Sequence, residues 1–182
     1  MAARLDSLAA IEAALWRELG AAPRSGDHPW RTPVLATTDG EAGDARTVVL
    51  REIDAARGRL MLFSDNRAAK VMQLTAHPLG TLVFWSASLG WQLRVRVQLQ
   101  ALTDGLAVSS RWAQLKLSPG AQDYLSALAP GSALDNAIGA RGERAHFALI
   151  VANVASIDWL ELHAEGHRRA RFAGGNANWL QP

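Results

Sequence analysis

The stretch QLRVRVQLQAL, residues 92–102, alternates between polar and apolar side chains as far as Ala101. A period of two predicts a long β-strand with one face in the core and the other face wet. The polar side chains on the wet face are Gln92, Arg94, Arg96, Gln98 and Gln100. Such a stripe faces solvent, a subunit interface or a ligand groove.

The segments on either side of this strand are predicted from their periodicity and their turn residues. Helices are predicted at 6–19, at 66–76 and as two short helices within 106–128, and a loop is predicted at 130–143. Strands are predicted at 33–38, 45–53, 59–64, 79–86, 146–162, 168–172 and 177–180, with a bend near Asn153. Because strands mostly follow strands, this order argues against a doubly wound parallel sheet. It favours a mainly β (α+β) fold, an antiparallel barrel with flanking helices.

The composition is that of an ordinary globular domain, with 182 residues, 49% of them hydrophobic, and a net charge of +2. We predict one domain over 1–182, in which 1–20 holds the N-terminal helix and 33–182 forms the barrel with its inserted helices. The lack of cysteine excludes disulfides, thiolate metal sites and a cysteine nucleophile. No apolar run reaches the length of a membrane span and no leader pattern opens the sequence, so we expect a cytoplasmic protein without a membrane partner.

Several common chemical motifs do not occur in the sequence. It has no glycine-rich dinucleotide or nucleotide phosphate loop, no Gly-x-Ser-x-Gly elbow and no His-Glu-x-x-His motif. His163 and His167 are four apart, but on a strand or turn this spacing does not bring two ligands together, so no metal is expected. The small net charge disfavours nucleic acid as a partner, and binding through Arg94 and Arg96 is the least favoured alternative.

A pattern that favours phosphate binding begins at Arg46. Arg46 and Arg51 are five positions apart and therefore on opposite faces of a strand. The hydroxyl of Ser64 ends the next strand, just before a helix start whose free N–H groups favour an anion. Lys70 falls in the first turn of that helix, where the helix dipole disfavours a cation unless an anion is bound. We therefore expect a phosphate cradle that consists of Arg46, Ser64, Arg67 and Lys70.

The same residues resemble those of a known family, the FMN-binding split-barrel proteins related to pyridoxamine 5'-phosphate oxidase. The family pattern is Arg-x-Val-Leu-Leu-Lys, an aromatic-Thr/Ser-Asn element, a basic pair, Asn-Pro and Arg-Gln-Val. Similar segments, without a gap in spacing, begin at Arg46, Phe63, Ala69, His77 and Trp91. The ending also resembles that of the family, with Arg171-Phe172 and then Trp179-Leu180-Gln181-Pro182. The resemblance implies a six-stranded antiparallel split β-barrel that forms a homodimer with FMN at the subunit interface.

The resemblance also implies roles for single residues. By matching position, Arg46, Ser64 and Lys70 would hold the FMN phosphate. Ala69 replaces a basic residue of the family, so the phosphate would have one basic contact fewer unless Arg67 substitutes. The backbone of 48–51 would lie along the isoalloxazine edge, and Gln92 and Arg171 would reach the cofactor from the partner subunit. The full set of implied cofactor contacts is Arg46, Val48, Val49, Leu50, Arg51, Phe63, Ser64, Arg67, Lys70, Gln92 and Arg171.

The substrate motifs depart from those of the oxidase proper. Its Arg-x-His before Asp-Arg-Phe appears here in inverted order, with His167 and Arg169 as the candidates. Its Tyr with an Arg four residues later resembles Trp112 and Lys116. These departures favour the uncharacterised FMN-binding subgroup of the family over the oxidase itself.

Two functions follow from the resemblance. One is an oxidoreductase in which the flavin N5 accepts a hydride from a small substrate. The alternative is a non-catalytic carrier or sensor that binds FMN, a flavin-like ligand or haem. The sequence identifies no catalytic residue for either function.

Overall fold

The computed structural model describes residues 4–134 and 145–182, so most of the loop predicted at 130–143 lies outside the described residues. The helices are α1 (Leu8–Ala21), α2 (Ala69–Ala76) and α3 (Leu106–Leu115). The strands are β1 (Val34–Thr38), β2 (Gly43–Thr47), β3 (Leu50–Asp54), β4 (Arg59–Asp65), β5 (Leu79–Ser86), β6 (Trp91–Leu102), β7 (Phe147–Glu161), β8 (Arg168–Ala173) and β9 (Asn176–Leu180). Short 3₁₀ turns lie at Ala22–Arg24, Pro29–Arg31, Ala55–Arg57 and Pro119–Tyr124. The second helix predicted within 106–128 is therefore only a 3₁₀ turn.

The strands form one antiparallel sheet in the order β2-β1-β5-β6-β7-β4-β3, with β8 paired to β7 and β9 paired to β8. The predicted mainly β class with flanking helices is confirmed, but the described residues contain nine strands rather than six. The prediction of one continuous strand at 45–53 is wrong, because the structure has two strands there, β2 and β3. β2 pairs with β1 and β3 pairs with β4, so the chain passes from one end of the sheet to the other at Val48-Val49.

β6 is the long strand that its alternation predicts. Its polar stripe is exposed or half-exposed, while Leu93, Val95, Val97 and Leu99 are buried. β6 pairs with β7 along its full length, and the register shifts where Ala155 of β7 has no partner. This bulge lies two residues after the bend predicted at Asn153, and a bulge of this kind increases the local twist of the sheet.

Two hydrophobic clusters hold the sheet. The larger one fills the barrel and receives Ile11, Leu15 and Leu19 from α1, so this helix packs on its own barrel. The smaller one lies on the other face of β4 and β7, where α3 and Tyr124 cover Met61 and Phe147. β4 and β7 are therefore buried on both faces, which explains their nearly continuous apolar sequence.

The local sequence explains where the helices begin and end. Ser7 caps α1 by accepting a hydrogen bond from the backbone N–H of Ala10. α2 has no side-chain cap and stops at Ala76, two residues before Pro78. No helix in the described part of the chain combines the length and the apolarity needed to cross a membrane.

Candidate functional site

Arg46 connects the β1–β2 hairpin to helix α2. It lies opposite Leu35 in the β1–β2 ladder, on the face that turns toward the barrel interior. Its guanidinium donates to Thr37 Oγ1 at 2.6 Å and to Gln73 Oε1 at 3.0 Å, and it pairs with the carboxylate of Asp44. We call Thr37, Asp44, Arg46, Lys70 and Gln73 the β2–α2 cluster.

Lys70 brings a second cation to this cluster. It lies in the first turn of α2, as predicted. Burial lowers the pKa of the Lys70 ammonium, and the nearby Arg46 charge lowers it further, while Asp65 and Asp44 act in the opposite direction. Among the described residues, no carboxylate lies within ion-pair distance of this ammonium. Arg46, Lys70 and the positive end of α2 therefore converge on one place, which favours an anion there.

Ser64 and Arg67 lie at the end of β4, and neither side chain is free in the present arrangement. The Ser64 hydroxyl is buried and donates to the backbone carbonyl of Asp65 at 3.0 Å. Arg67 pairs with the Asp65 carboxylate at 2.7 Å and also donates to backbone carbonyls at 126–128. Burial alone would raise the pKa of Asp65, but the hydrogen bonds from Arg67 outweigh it and lower that pKa. Arg67 thus anchors a loop, and phosphate binding by this side chain would require it to leave these partners.

Arg51 and Phe63 lie on the opposite face of the sheet from Arg46, with the smaller hydrophobic cluster. The Arg51 guanidinium carbon is 5.5 Å from the centre of the Phe63 ring, and its buried Nε has no hydrogen-bond partner among the described residues. Burial raises the pKa of the neighbouring Tyr124, and the Arg51 charge opposes this effect. Between the two arginines, Val48 and Leu50 are buried and Val49 is half-buried.

The substrate candidates fall in two different places. Trp112 packs against Phe147, which also contacts Phe63, so Trp112 belongs to the cluster around Arg51. Lys116 follows α3 and is exposed. His167 accepts a hydrogen bond from the His163 backbone at 3.1 Å within the turn before β8.

Arg169 and Arg171 lie on the outer face of the sheet, as does Gln92. The outer arginine face consists of Arg94, Arg96, Arg169 and Arg171. Arg94 and Arg169 share the carboxylate of Asp158, at 2.8 and 2.7 Å, and grooves of about 500 and 340 Å³ run past Arg96 and Arg171. Among residues 4–134 and 145–182, no group of three or more His, Asp or Glu side chains is arranged to hold a metal ion.

The structure therefore joins Arg46 to Lys70, and Arg51 to Phe63 and Trp112, whereas Gln92 and Arg171 lie on the other face from Arg46. Sequence reasoning missed Thr37, Asp44 and Gln73. The spacing of Asp44 and Arg46 by two residues on a strand could have placed them on one face. Thr37 reaches Arg46 as a diagonal neighbour across the β1–β2 hairpin. Gln73 gave no signal, because only the packing of α2 against β1 brings it to Arg46.

Comparison with known proteins gives matches at three levels. The model of the pyridoxamine 5'-phosphate oxidase FMN-binding domain matches residues 12–103. Pyridoxine/pyridoxamine 5'-phosphate oxidase from Azorhizobium caulinodans is 39% identical over 87 residues, which cover 47% of this chain and only 40% of that protein. A pyridoxamine 5'-phosphate oxidase-related, FMN binding protein from Nostoc punctiforme PCC 73102 has a similar structure, with a TM-score of 0.77 and 20% identity over 97% of this chain and 100% of that chain.

A second solved structure is similar along almost the whole chain. PhzG from Burkholderia lata 383, in complex with tetrahydrophenazine-1-carboxylic acid, gives a TM-score of 0.75 at 17% identity, covering 94% of this chain and 92% of that chain. At such identities the two structures support the fold, while the family match rests on the sequence of the region that contains Arg46, Lys70 and Gln92. This chain belongs to the pyridoxamine 5'-phosphate oxidase FMN-binding domain family.

Proposed function

We propose that this protein binds FMN and acts as an oxidoreductase on a small-molecule substrate, as a homodimer with the cofactor at the subunit interface. The observation that carries the proposal is the convergence of Arg46 and Lys70 at the start of α2. A family whose domain binds FMN provides the identity of the anion.

The β2–α2 cluster suits the phosphate end of FMN. Two cations, of which one is a half-buried ammonium with no described carboxylate within ion-pair distance, match a phosphate dianion in charge. The helix start adds N–H donors without a competing side-chain cap. Arg46 is already oriented by Thr37 and Gln73, so little side-chain freedom would be lost on binding.

The Arg51 region suits the ring end of FMN. The chain at Val48-Val49 leaves β2 before β3 begins, so some of its backbone groups are not used in sheet pairing. The buried Nε of Arg51 lacks a partner among the described residues, and an unpaired buried donor is costly unless a further group satisfies it. When bound, FMN supplies hydride acceptance at N5, and the protein supplies orientation and electrostatics. Trp112, Lys116, His167 and Arg169 are the candidates for holding the substrate.

The homodimer is proposed because the family resemblance implies that Gln92 and Arg171 reach the cofactor from a second copy. Arg46 faces the barrel interior, whereas Gln92 and Arg171 are on the outer face. A second copy that contributes its own Gln92 and Arg171 to the FMN of the first would complete the site. If so, Arg171→Ala should weaken FMN binding about threefold to tenfold, whereas an exposed-arginine control, Arg17→Ala, should not. Analytical ultracentrifugation with and without FMN gives the stoichiometry.

The first experiment identifies the cofactor. The protein is purified without added flavin, its visible spectrum is recorded, and any ligand released by denaturation is identified by mass. The apoprotein is then titrated with FMN. We expect FMN to be released and to rebind, and Lys70→Ala to weaken binding about tenfold, since a charged hydrogen bond contributes about 1.5–3 kcal/mol. Arg17→Ala is the control. A colourless protein that does not bind added FMN would contradict the proposal.

A second experiment separates an enzyme from a carrier. The FMN-loaded protein is mixed without oxygen with a panel of amines and with reduced nicotinamides, and bleaching of the flavin absorbance is followed. Rapid bleaching by one member of the panel would support the oxidoreductase. Tight FMN binding without reduction by any of them would favour the carrier or sensor.

A further inference from the structure

Asp44 is the acidic member of the β2–α2 cluster, and no cofactor role is implied for it. It stands two residues before Arg46 on β2, so both side chains project from the same face of the strand. Its carboxylate pairs with the Arg46 guanidinium and accepts a hydrogen bond from Gln73 Nε2 at 3.1 Å. Among the described residues, the carboxylate of Asp44 is thus the anion that Arg46 contacts.

Arg46 has further contacts that do not involve the Asp44 carboxylate. Arg46 also donates to Thr37 Oγ1, Gln73 Oε1 and the backbone carbonyl of Leu35, so its guanidinium remains held if Asp44 moves away. The Asp44 side chain is 50% exposed, against 21% for Arg46. Water can therefore solvate the carboxylate when it leaves, and the loss of an exposed ion pair costs little.

We propose that Asp44 is a built-in competitor of the ligand phosphate: its carboxylate occupies Arg46 in the free protein and weakens the binding of phosphate-bearing ligands at this site. This inference rests on the proposed FMN site and adds a residue that sets its affinity. A phosphate that approaches Arg46 and Lys70 either displaces the Asp44 carboxylate or binds beside a like charge, and both reduce affinity.

The competition predicts an unusual gain of binding on mutation. Asp44→Asn removes the charge and keeps the shape of the side chain, and an amide can still bond to Gln73. We expect Asp44→Asn to bind FMN roughly two- to fivefold more tightly than the wild type, the size of an exposed ion-pair effect. Riboflavin, which lacks the phosphate, should bind both proteins equally.

The experiment uses FMN, riboflavin and inorganic phosphate as probes on the apoprotein. Affinities for the two flavins come from fluorescence titration, and the response to phosphate comes from the rise in melting temperature at constant ionic strength. Glu41→Gln is the matched control, because it removes one negative charge from the exposed turn of the same hairpin. In an Arg46→Ala background the effect of Asp44→Asn should shrink, because the carboxylate then has no guanidinium to occupy and only its repulsion of the phosphate remains.

The outcomes separate this inference from the proposed function. Unchanged or weaker binding of FMN and phosphate by Asp44→Asn would overturn the inference and make Asp44 a residue that holds Arg46 in position. An equal gain in Glu41→Gln would overturn it as well, since a general charge effect would explain both. If the wild type binds no FMN, the proposed function fails, and the phosphate response of Asp44→Asn against the wild type alone decides the role of Asp44.

Discussion

Two clusters in this fold each set two basic side chains against one carboxylate, and they differ in the burial of that carboxylate. In the first cluster, Glu161 accepts from Arg4 Nε at 2.6 Å, from Arg168 Nε at 2.8 Å and from Trp91 Nε1 at 3.3 Å. Its side chain is only 6% exposed. Every partner is a protein group that ties the segment before α1, β6 and β8 to the end of β7.

The second cluster has the same charge ratio but a carboxylate that can leave. Asp44 pairs with Arg46 and lies near Lys70, beyond ion-pair distance, with half of its side chain in water. A solute cannot replace Glu161 without unfolding its surroundings, whereas a phosphate can replace Asp44 by a local rotation. In this fold the exposure of the acid, rather than the number of cations, separates a structural ion cluster from a candidate ligand site.

The strongest test of this contrast is the free energy of unfolding. Glu161→Gln leaves two guanidinium groups without their anion in a mostly buried place and should lower the free energy of unfolding by about 3 kcal/mol. Asp44→Asn should leave it almost unchanged, because its carboxylate is well solvated. Urea denaturation followed by tryptophan fluorescence measures both. Similar losses in the two variants would show that Asp44 is also structural.

The next test measures FMN affinity as well as stability. Arg46→Ala should weaken FMN binding roughly ten- to hundredfold, because it removes a fixed bidentate donor. Arg168→Ala should leave FMN affinity unchanged while lowering stability, since Arg168 contacts Glu161, the Leu5 carbonyl and the Trp159 ring. FMN titration and urea denaturation of both variants would reveal the crossed pattern. An equal loss of FMN affinity in Arg168→Ala would remove the distinction between the clusters.

The sequence predicted those parts of the fold that depend on local pattern. The alternation in β6 and the periodicity of α1 identified both elements, because burial follows the period of the side chains. The break at Val48-Val49 was missed, because both halves are strands and only their different partners separate them. The 3₁₀ turn at Pro119–Tyr124 was predicted as a helix, since short apolar spacing does not distinguish the two.

Of the candidate site, only the basic residues could be predicted from the sequence. Arg46 and Lys70 were identified from residue type and from the start of the helix, and the structure brings them together. The pairing of Arg67 with Asp65 could have been expected from their spacing of two, but its contacts to carbonyls at 126–128 depend on tertiary packing. The same holds for Gln73, which reaches Arg46 from another element.

Acid should weaken the ion pairs of Glu161 and Asp158. Burial alone would raise the pKa of Glu161, but hydrogen bonds from Arg168, Arg4 and Trp91 outweigh it and lower that pKa; Asp158 behaves likewise through Arg169 and Arg94. Because these pKa values are lower in the folded state, the unfolded chain binds more protons on acidification. Their stabilisation is present above pH 5 and is lost as the pH falls through the folded values.

We expect a loss on the order of 1 kcal/mol between pH 7 and pH 4, since the partner arginines keep some contact with water. Urea denaturation across this range gives the slope of the free energy of unfolding against pH. Glu161→Gln should show a shallower slope than the wild type. A slope that Glu161→Gln leaves unchanged would mean that other carboxylates control the acid response.

Alkali should affect the other cluster through Lys70, and this is the smallest expected effect. Burial and the Arg46 charge lower the pKa of Lys70 from its ordinary value of 10.5, so its positive charge is lost at a lower pH than that of a solvated lysine. FMN affinity should therefore fall as the pH rises toward that value, by no more than about fivefold, because a bound phosphate stabilises the ammonium and delays its deprotonation. Titrations from pH 7 to 10 measure the fall, and Lys70→Arg, which stays charged throughout, corrects for any ionisation of the flavin itself. If Lys70→Arg loses affinity in parallel with the wild type, Lys70 does not contribute its charge to the phosphate, and the anion site would rest on Arg46 and the start of α2 alone.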